Sequence, residues 1–127
     1  MILYLDTVTD IKKIKVVILK DSKILTQKNF KAYKSQAEKL LPLIDGILKD
    51  SKLKLSDIKE IKVNNKGGSF TSLRIGVVTA NALACALNIP IKGEYGENKV
   101  YKVGKANIIS PEYDIEPNIT IKKKNIY

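Results

Sequence analysis

Hydrophobic and polar positions alternate between two rhythms along the 127-residue chain. Ile2 to Leu5 is a short apolar run closed by Asp6. Ile14 to Leu19 is a β-rich run between lysines, and a weaker segment follows the Asp21-Ser22 turn from Ile24 to Lys28; short apolar runs between turn signals predict three strands in a meander. Ser35 and Glu38 then stand in capping-box spacing. Ala37, Leu40, Leu41, Leu43, Ile44, Ile47 and Leu48 recur at helical intervals, with Pro42 inside the run. Proline removes one backbone donor, so this predicted helix should bend there. Ile58 to Val63 alternates again as a strand. Asn64 to Gly68 forms a loop, Ser69 or Thr71 can cap, and Ser72 to Leu87 reads as a helix apolar or small on nearly every side and hence buried all round. Pro90 to Tyr95 is a fifth strand, and a hairpin is expected around Lys99 to Ile109. The order predicts an α/β fold, a mixed sheet of about five strands with two main helices, as in the ribonuclease H-like half of the actin-type (ASKHA) fold.

Composition narrows the chemistry. The sequence contains no histidine and a single cysteine, Cys85. Ser/His and Cys/His triads and histidine-based zinc sites are therefore excluded, and with no nucleophile–base pair a peptidase reading fails. Neither an export signal nor an apolar run of the roughly 20 residues needed to cross a bilayer appears, so a cytoplasmic protein is expected. The net charge is +10, with 23 basic and 13 acidic residues. Arg74 is the only arginine, and arginine is the side chain suited to bidentate phosphate and base contacts. The charge is also local: residues 10–34 carry eight lysines against two acids.

Gly67-Gly68-Ser69-Phe70-Thr71-Ser72-Leu73-Arg74-Ile75-Gly76 is the most informative stretch. A glycine loop opening a helix can present free amides to a phosphate, yet the Gly-Lys-Ser/Thr ending of a P-loop is absent. A tight strand-to-helix turn accounts for the glycines. The stretch resembles the signature of the TsaB (YeaZ) family, bacterial partners in making threonylcarbamoyladenosine at position 37 of tRNA. Three further regions agree in order: Asp6-Thr7-Val8-Thr9 after the first strand, the Leu-Leu-Pro-Leu-Ile helix within Glu38 to Leu48, and the Ala-rich helix leading into a Pro-hydrophobic strand from Asn81 to Ile91. The similarity spans residues 1–93, taken as one lobe, while residues 94–127 are expected to form a short tail in place of most of the family's second lobe; Glu116 to Thr120 resembles its C-terminal segment. Lys66, Gly67 and Ser72 stand where the family has glycine, proline and glycine, which implies a more mobile loop.

The resemblance implies a non-catalytic scaffold subunit that dimerises with a TsaD-like transferase, with a TsaE-like ATPase as a further partner, a homodimer when alone, tRNA met through the complex, and no cofactor of its own. Asp6 and Thr9 occupy the place of the phosphate- and metal-facing loop of actin-type kinases, but a single lobe has no cleft to close, so Asp6 is read as holding a turn. TsaD-type metal ligation needs a His-x-x-x-His pair, which this chain cannot supply. Both helices have apolar faces wider than packing on one sheet requires; either they bury each other or they join a partner's helices. The expected partner interface is Leu41, Ile44, Leu48, Leu73, Gly76, Val77, Ala80 and Ala84, with the small residues allowing close backbone approach. Lys12, Lys13, Lys15, Lys31 and Lys34 are the expected tRNA-facing positions. The alternative function is a small basic RNA-binding module using those lysines directly, although its basic stretch offers only Phe30 and Tyr33 as stacking aromatics.

Overall fold

A computed structural model describes residues 1–10, 12–32, 34–95, 100–103 and 106–109. Strands β1 (Ile2–Asp6), β2 (Lys13–Lys20) and β3 (Lys23–Lys31) form an antiparallel meander, followed by helix α1 (Gln36–Asp50), strand β4 (Glu60–Val63), helix α2 (Phe70–Leu87) and strand β5 (Ile91–Gly93). The sheet order is β3-β2-β1-β4-β5, with β4 parallel to β1 and β5 parallel to β4. This is the five-stranded α/β arrangement expected from the sequence. Asp21 and Ser22 both take positive φ, 53° and 65°, the conformation that a two-residue hairpin requires. A second hairpin, β6 (Val100–Val103) with β7 (Ala106–Ile109), falls where one was expected. Most of the proposed tail, including Glu116 to Thr120, lies outside the described residues.

Alternation along the strands sorts the sheet into two faces. Leu3 and Leu5 of β1, Ile14, Val16 and Ile18 of β2, and Ile61 and Val63 of β4 are buried on one of them. Register aligns these positions across the strands, Leu3 with Ile18 and Ile61, Leu5 with Val16 and Val63, so the face is continuous and apolar. Helix α1 covers it at β2 and β3 through Leu40, Ile44, Ile47 and Leu48, while α2 covers β1, β4 and β5 through Leu73, Val77, Ala80 and Ala84. Each helix therefore packs chiefly on the sheet.

Local expectations change at the start of α1 and along α2. Ser35 precedes α1 but its hydroxyl caps nothing, because its backbone (φ −134°, ψ 19°) lies outside the extended region of a capping serine. The chain stays helical through Pro42, which is exposed and has no N–H to donate to the Glu38 carbonyl. Helix α2 begins at Phe70, capped by the Ser69 hydroxyl, which accepts from the Ser72 N–H at 3.0 Å. It is not buried all round, since Phe70 is 46 % and Val78 64 % exposed. At 18 residues and mean hydropathy 1.5 it is long and apolar enough to cross a membrane, yet its buried stripe lies along the sheet. Its C-terminus closes on Asn88 in the left-handed region, with the Ile89 N–H donating to the Ala84 carbonyl at 3.1 Å.

Gly46 lies inside α1, and a Cβ added there would meet nothing within 4 Å. Gly46→Ala should therefore stabilise the protein by about 0.5–1 kcal/mol, through the backbone entropy of the unfolded chain. An upward shift of the urea midpoint at constant m checks it.

Candidate functional site

Parallel strands β1 and β4 end side by side, and the ladder continues one residue further as the Asn64 N–H donates to the Leu5 carbonyl at 2.9 Å. Two loops, residues 6–9 and 64–69, therefore leave the sheet at one edge, together with the first turns of both helices. The carboxyl ends of parallel strands are where α/β folds place ligands.

Asp6 organises the first loop. Its Oδ1 accepts from the N–H groups of Val8 and Thr9, both at 2.9 Å, and its Oδ2 accepts from the Thr9 hydroxyl at 2.5 Å. Burial pushes this carboxyl up, but the Thr9 hydroxyl, the two amides and the Asn64 side chain outweigh it and hold Asp6 below its ordinary value of 3.8. Both oxygens are thus engaged within the chain, as expected of a turn-holding residue.

Behind this loop lies a buried polar chain linking the parts. Thr7 Oγ1 donates to the Ser72 carbonyl at 2.6 Å, and Ser72 Oγ donates to Gln36 Oε1 at 2.7 Å. Gln36 Nε2 returns to the Thr7 carbonyl at 2.9 Å and to the Lys13 carbonyl at 3.0 Å. The loop, both helix starts and β2 are joined by one amide. Glycines make the approach possible: a Cβ on Gly76 would lie 2.5 Å from Thr7 Oγ1, and one on Gly68, at φ +67°, 2.6 Å from the Val8 carbonyl oxygen. Ser72, which stands where the family has glycine, supplies a tether. The Asn65 side chain exchanges two hydrogen bonds with the Tyr95 backbone, at 2.8 and 3.2 Å, and Asn81 exchanges two with that of Ile109, both 2.9 Å. The second pair docks the β6–β7 hairpin on α2.

Between the starts of the helices opens a cavity of about 330 Å³, lined by Lys34, Gln36, Ser69, Thr71, Ser72 and Ile75. It continues into a shallower groove of about 390 Å³ along the outer side of α2, where Ala37, Arg74, Ile75 and Val78 line it. Arg74 lies 5.2 Å from the centroid of the Phe70 ring, and Cys85 is exposed on the same helix.

The expected partner interface requires correction. Ile44, Leu48, Leu73, Gly76, Val77, Ala80 and Ala84 are buried within this chain; only Leu41, 55 % exposed, faces outward. The small-residue stripe of α2 serves close approach to this protein's own Thr7 and sheet. On the two helices, Leu41 of α1 and Phe70 and Val78 of α2 are large apolar side chains that stay exposed. Of the expected tRNA-facing lysines, Lys13 and Lys31 are directly opposed across β2 and β3. Lys12 adjoins them, its carbonyl accepting from the Ala32 N–H at 2.9 Å, and Lys34 follows β3 closely. Lys15 is two residues along β2. The hydrogen-bonding roles of Gln36, Ser72 and Asn65 escaped the sequence reading. A glutamine at a helix start looks solvent-facing, whereas the paired Asn64-Asn65 after a strand was a usable sign of side chain-to-backbone bonding.

Residues 23–94 match the TsaD family, tRNA N6-adenosine threonylcarbamoyltransferase. The chain is 27 % identical over 101 residues to the tRNA threonylcarbamoyladenosine biosynthesis protein TsaB of Bacillus subtilis, covering 78 % of this chain and 44 % of that protein. It is 40 % identical over 60 residues to the tRNA N6-adenosine threonylcarbamoyltransferase of Brachyspira hyodysenteriae, covering 47 % and 18 %. The solved structure of YeaZ from Pseudomonas aeruginosa superposes with a TM-score of 0.65 at 28 % identity, covering 72 % of this chain and 42 % of that one. The chain thus spans less than half the length of these relatives.

Two predictions follow from the polar cluster. Gln36→Leu leaves the Thr7 and Lys13 carbonyls and the Ser72 hydroxyl without this partner and should cost on the order of 2–3 kcal/mol in urea unfolding. Asp6→Asn should destabilise the protein at neutral pH. Because the folded-state value is depressed, the Asp6 contribution is complete above 3.8 and lost as pH falls through the lower folded value. The stability gap between wild type and Asp6→Asn should accordingly narrow on acidification below about pH 4, as thermal melts across pH would measure.

Proposed function

Because the chain belongs to the TsaD family and, within it, to the TsaB (YeaZ) kind, we propose that it is a scaffold subunit in the biosynthesis of threonylcarbamoyladenosine on tRNA. In this reading it does no chemistry itself and pairs with a TsaD-like transferase in the cytoplasm. ATP, metal and the activated threonylcarbamoyl group are handled by other subunits, a TsaE-like ATPase among them.

The observation that carries the pairing is the outward side of the helical layer. Val78, 64 % exposed, lines the groove along α2 together with Ala37 and Ile75, and Leu41, one helical turn after Ala37 on α1, is 55 % exposed. Exposed apolar side chains grouped around a groove favour a packed partner. The non-catalytic part rests on Asp6, whose oxygens hold Val8 and Thr9, and on a sequence without histidine. Pairing leaves the sheet core untouched, since the contributing side chains point away from it.

Val78→Arg should leave folding intact, judged by circular dichroism, and weaken association with the TsaD-like enzyme of the same cell by tenfold or more in a co-purification titration. Leu25→Arg, on the exposed part of β3, is the control and should pair normally. Ala80→Arg should fail to fold, because Ala80 is 0 % exposed and an arginine there places an unpaired charge in the core. Normal pairing by Val78→Arg would sink this interface, and self-association lost in place of heterodimer formation would assign the groove to a homodimer.

A further inference from the structure

The sheet face turned away from the helices is unused by the scaffold role. Strand alternation places Tyr4 on it from β1, Lys13 and Lys15 from β2, Lys31 from β3, Lys62 from β4 and Lys92 from β5. No described helix covers this face. Lys13 stands directly opposite Lys31, and Lys62 directly beside Lys92. Like charges facing each other across strands destabilise a sheet, so these pairs gain nothing from each other.

The nearby acids are already engaged. Asp6 holds its own loop, and Glu60 pairs with Lys92 at 3.6 Å. Glu94 accepts the Tyr4 hydroxyl at 2.7 Å; burial and this bond raise the Tyr4 phenol, so it remains a donor. Lys13, Lys15, Lys31 and Lys62 consequently make no ion pair among the described residues. Five strands at about 4.8 Å spacing make a face ~19 Å across, wide enough for several successive phosphates of one strand.

We propose that this lysine-bearing sheet face, which no described helix covers, is a contact surface for the phosphate backbone of RNA. The anion-binding face stands on charge placement alone; the choice of RNA rests on the tRNA-modification role proposed above. Lysine is a compact point charge without the planar fork that reads bases. Binding is therefore insensitive to base sequence, modest in affinity and steeply dependent on salt.

The test is a fluorescence-anisotropy titration of the full chain with a labelled tRNA transcript, from about 50 to 200 mM salt. Lys13→Ala/Lys31→Ala should lower the slope of log K against log salt by about 2, one for each phosphate contact removed. Its melting temperature should not fall, because a like-charge pair is relieved. Lys39→Ala/Lys54→Ala, an equal charge change on the helical side, should leave the slope nearly unchanged. Equal losses from the two double variants would reduce the effect to net charge and overturn the proposal, as would an unaltered slope in Lys13→Ala/Lys31→Ala. Capture by anionic phospholipid vesicles through the same lysines, uncompeted by tRNA, would overturn the assignment to RNA. Lysine-dependent RNA binding by a chain that pairs with no TsaD-like enzyme would uphold this face while removing the scaffold role.

Discussion

A single side-chain amide sets the geometry on which the rest depends. Gln36 presents two donors and one acceptor in a plane, and all three are matched by groups of different elements: the Thr7 carbonyl after β1, the Lys13 carbonyl at the start of β2, and the Ser72 hydroxyl in the first turn of α2. The two carbonyls lie at strand ends and the hydroxyl in a helix's first turn. Buried polar groups without partners cost far more than a satisfied pair gains, so the fold requires α1 to begin where it does. That requirement explains how α1 starts without the serine cap its sequence advertises.

The same closure fixes what the strand-end loops can do. Thr7 reaches the Ser72 carbonyl only because Gly76 has no side chain in the way, and Val8 lies against Gly68 for a like reason. Asp6 is turned inward on its own loop. In an ASKHA-type fold this edge is the natural place for phosphate chemistry, yet here its polar atoms bond chiefly to one another. The chain's outward resources lie elsewhere, in the apolar groove over the helices and the lysines on the opposite sheet face.

The sheet and its topology were legible because each strand is a short apolar run with unambiguous flanks, and because the motif at Gly67 to Gly76 recurs in order with three other regions. The direction of α2 was not legible. Its outer positions Phe70, Val78 and Ala82 are as apolar as its inner ones, so periodicity alone cannot say which side meets the sheet. Small residues suggested a partner's backbone; the nearest neighbour of Gly76 proved to be Thr7, 69 positions earlier in the chain. The asparagines carried a similar ambiguity. Their abundance reads as compositional bias, whereas Asn65 and Asn81 act as side-chain substitutes for a strand, each pairing with one backbone residue through both donor and acceptor.

The two rims of the sheet differ in a way that bears on how copies of the protein behave when crowded. At one rim, β5 is only three residues long, too short to template another strand. At the other, β3 runs for nine residues with lysines at 23, 28 and 31. A second copy adding its own β3 there would set positive charges against positive charges along the new seam. Edge-to-edge growth of the sheet is thus opposed by length at one side and by charge at the other, leaving the helical layer as the surface on which specific assembly can proceed without competition from strand pairing.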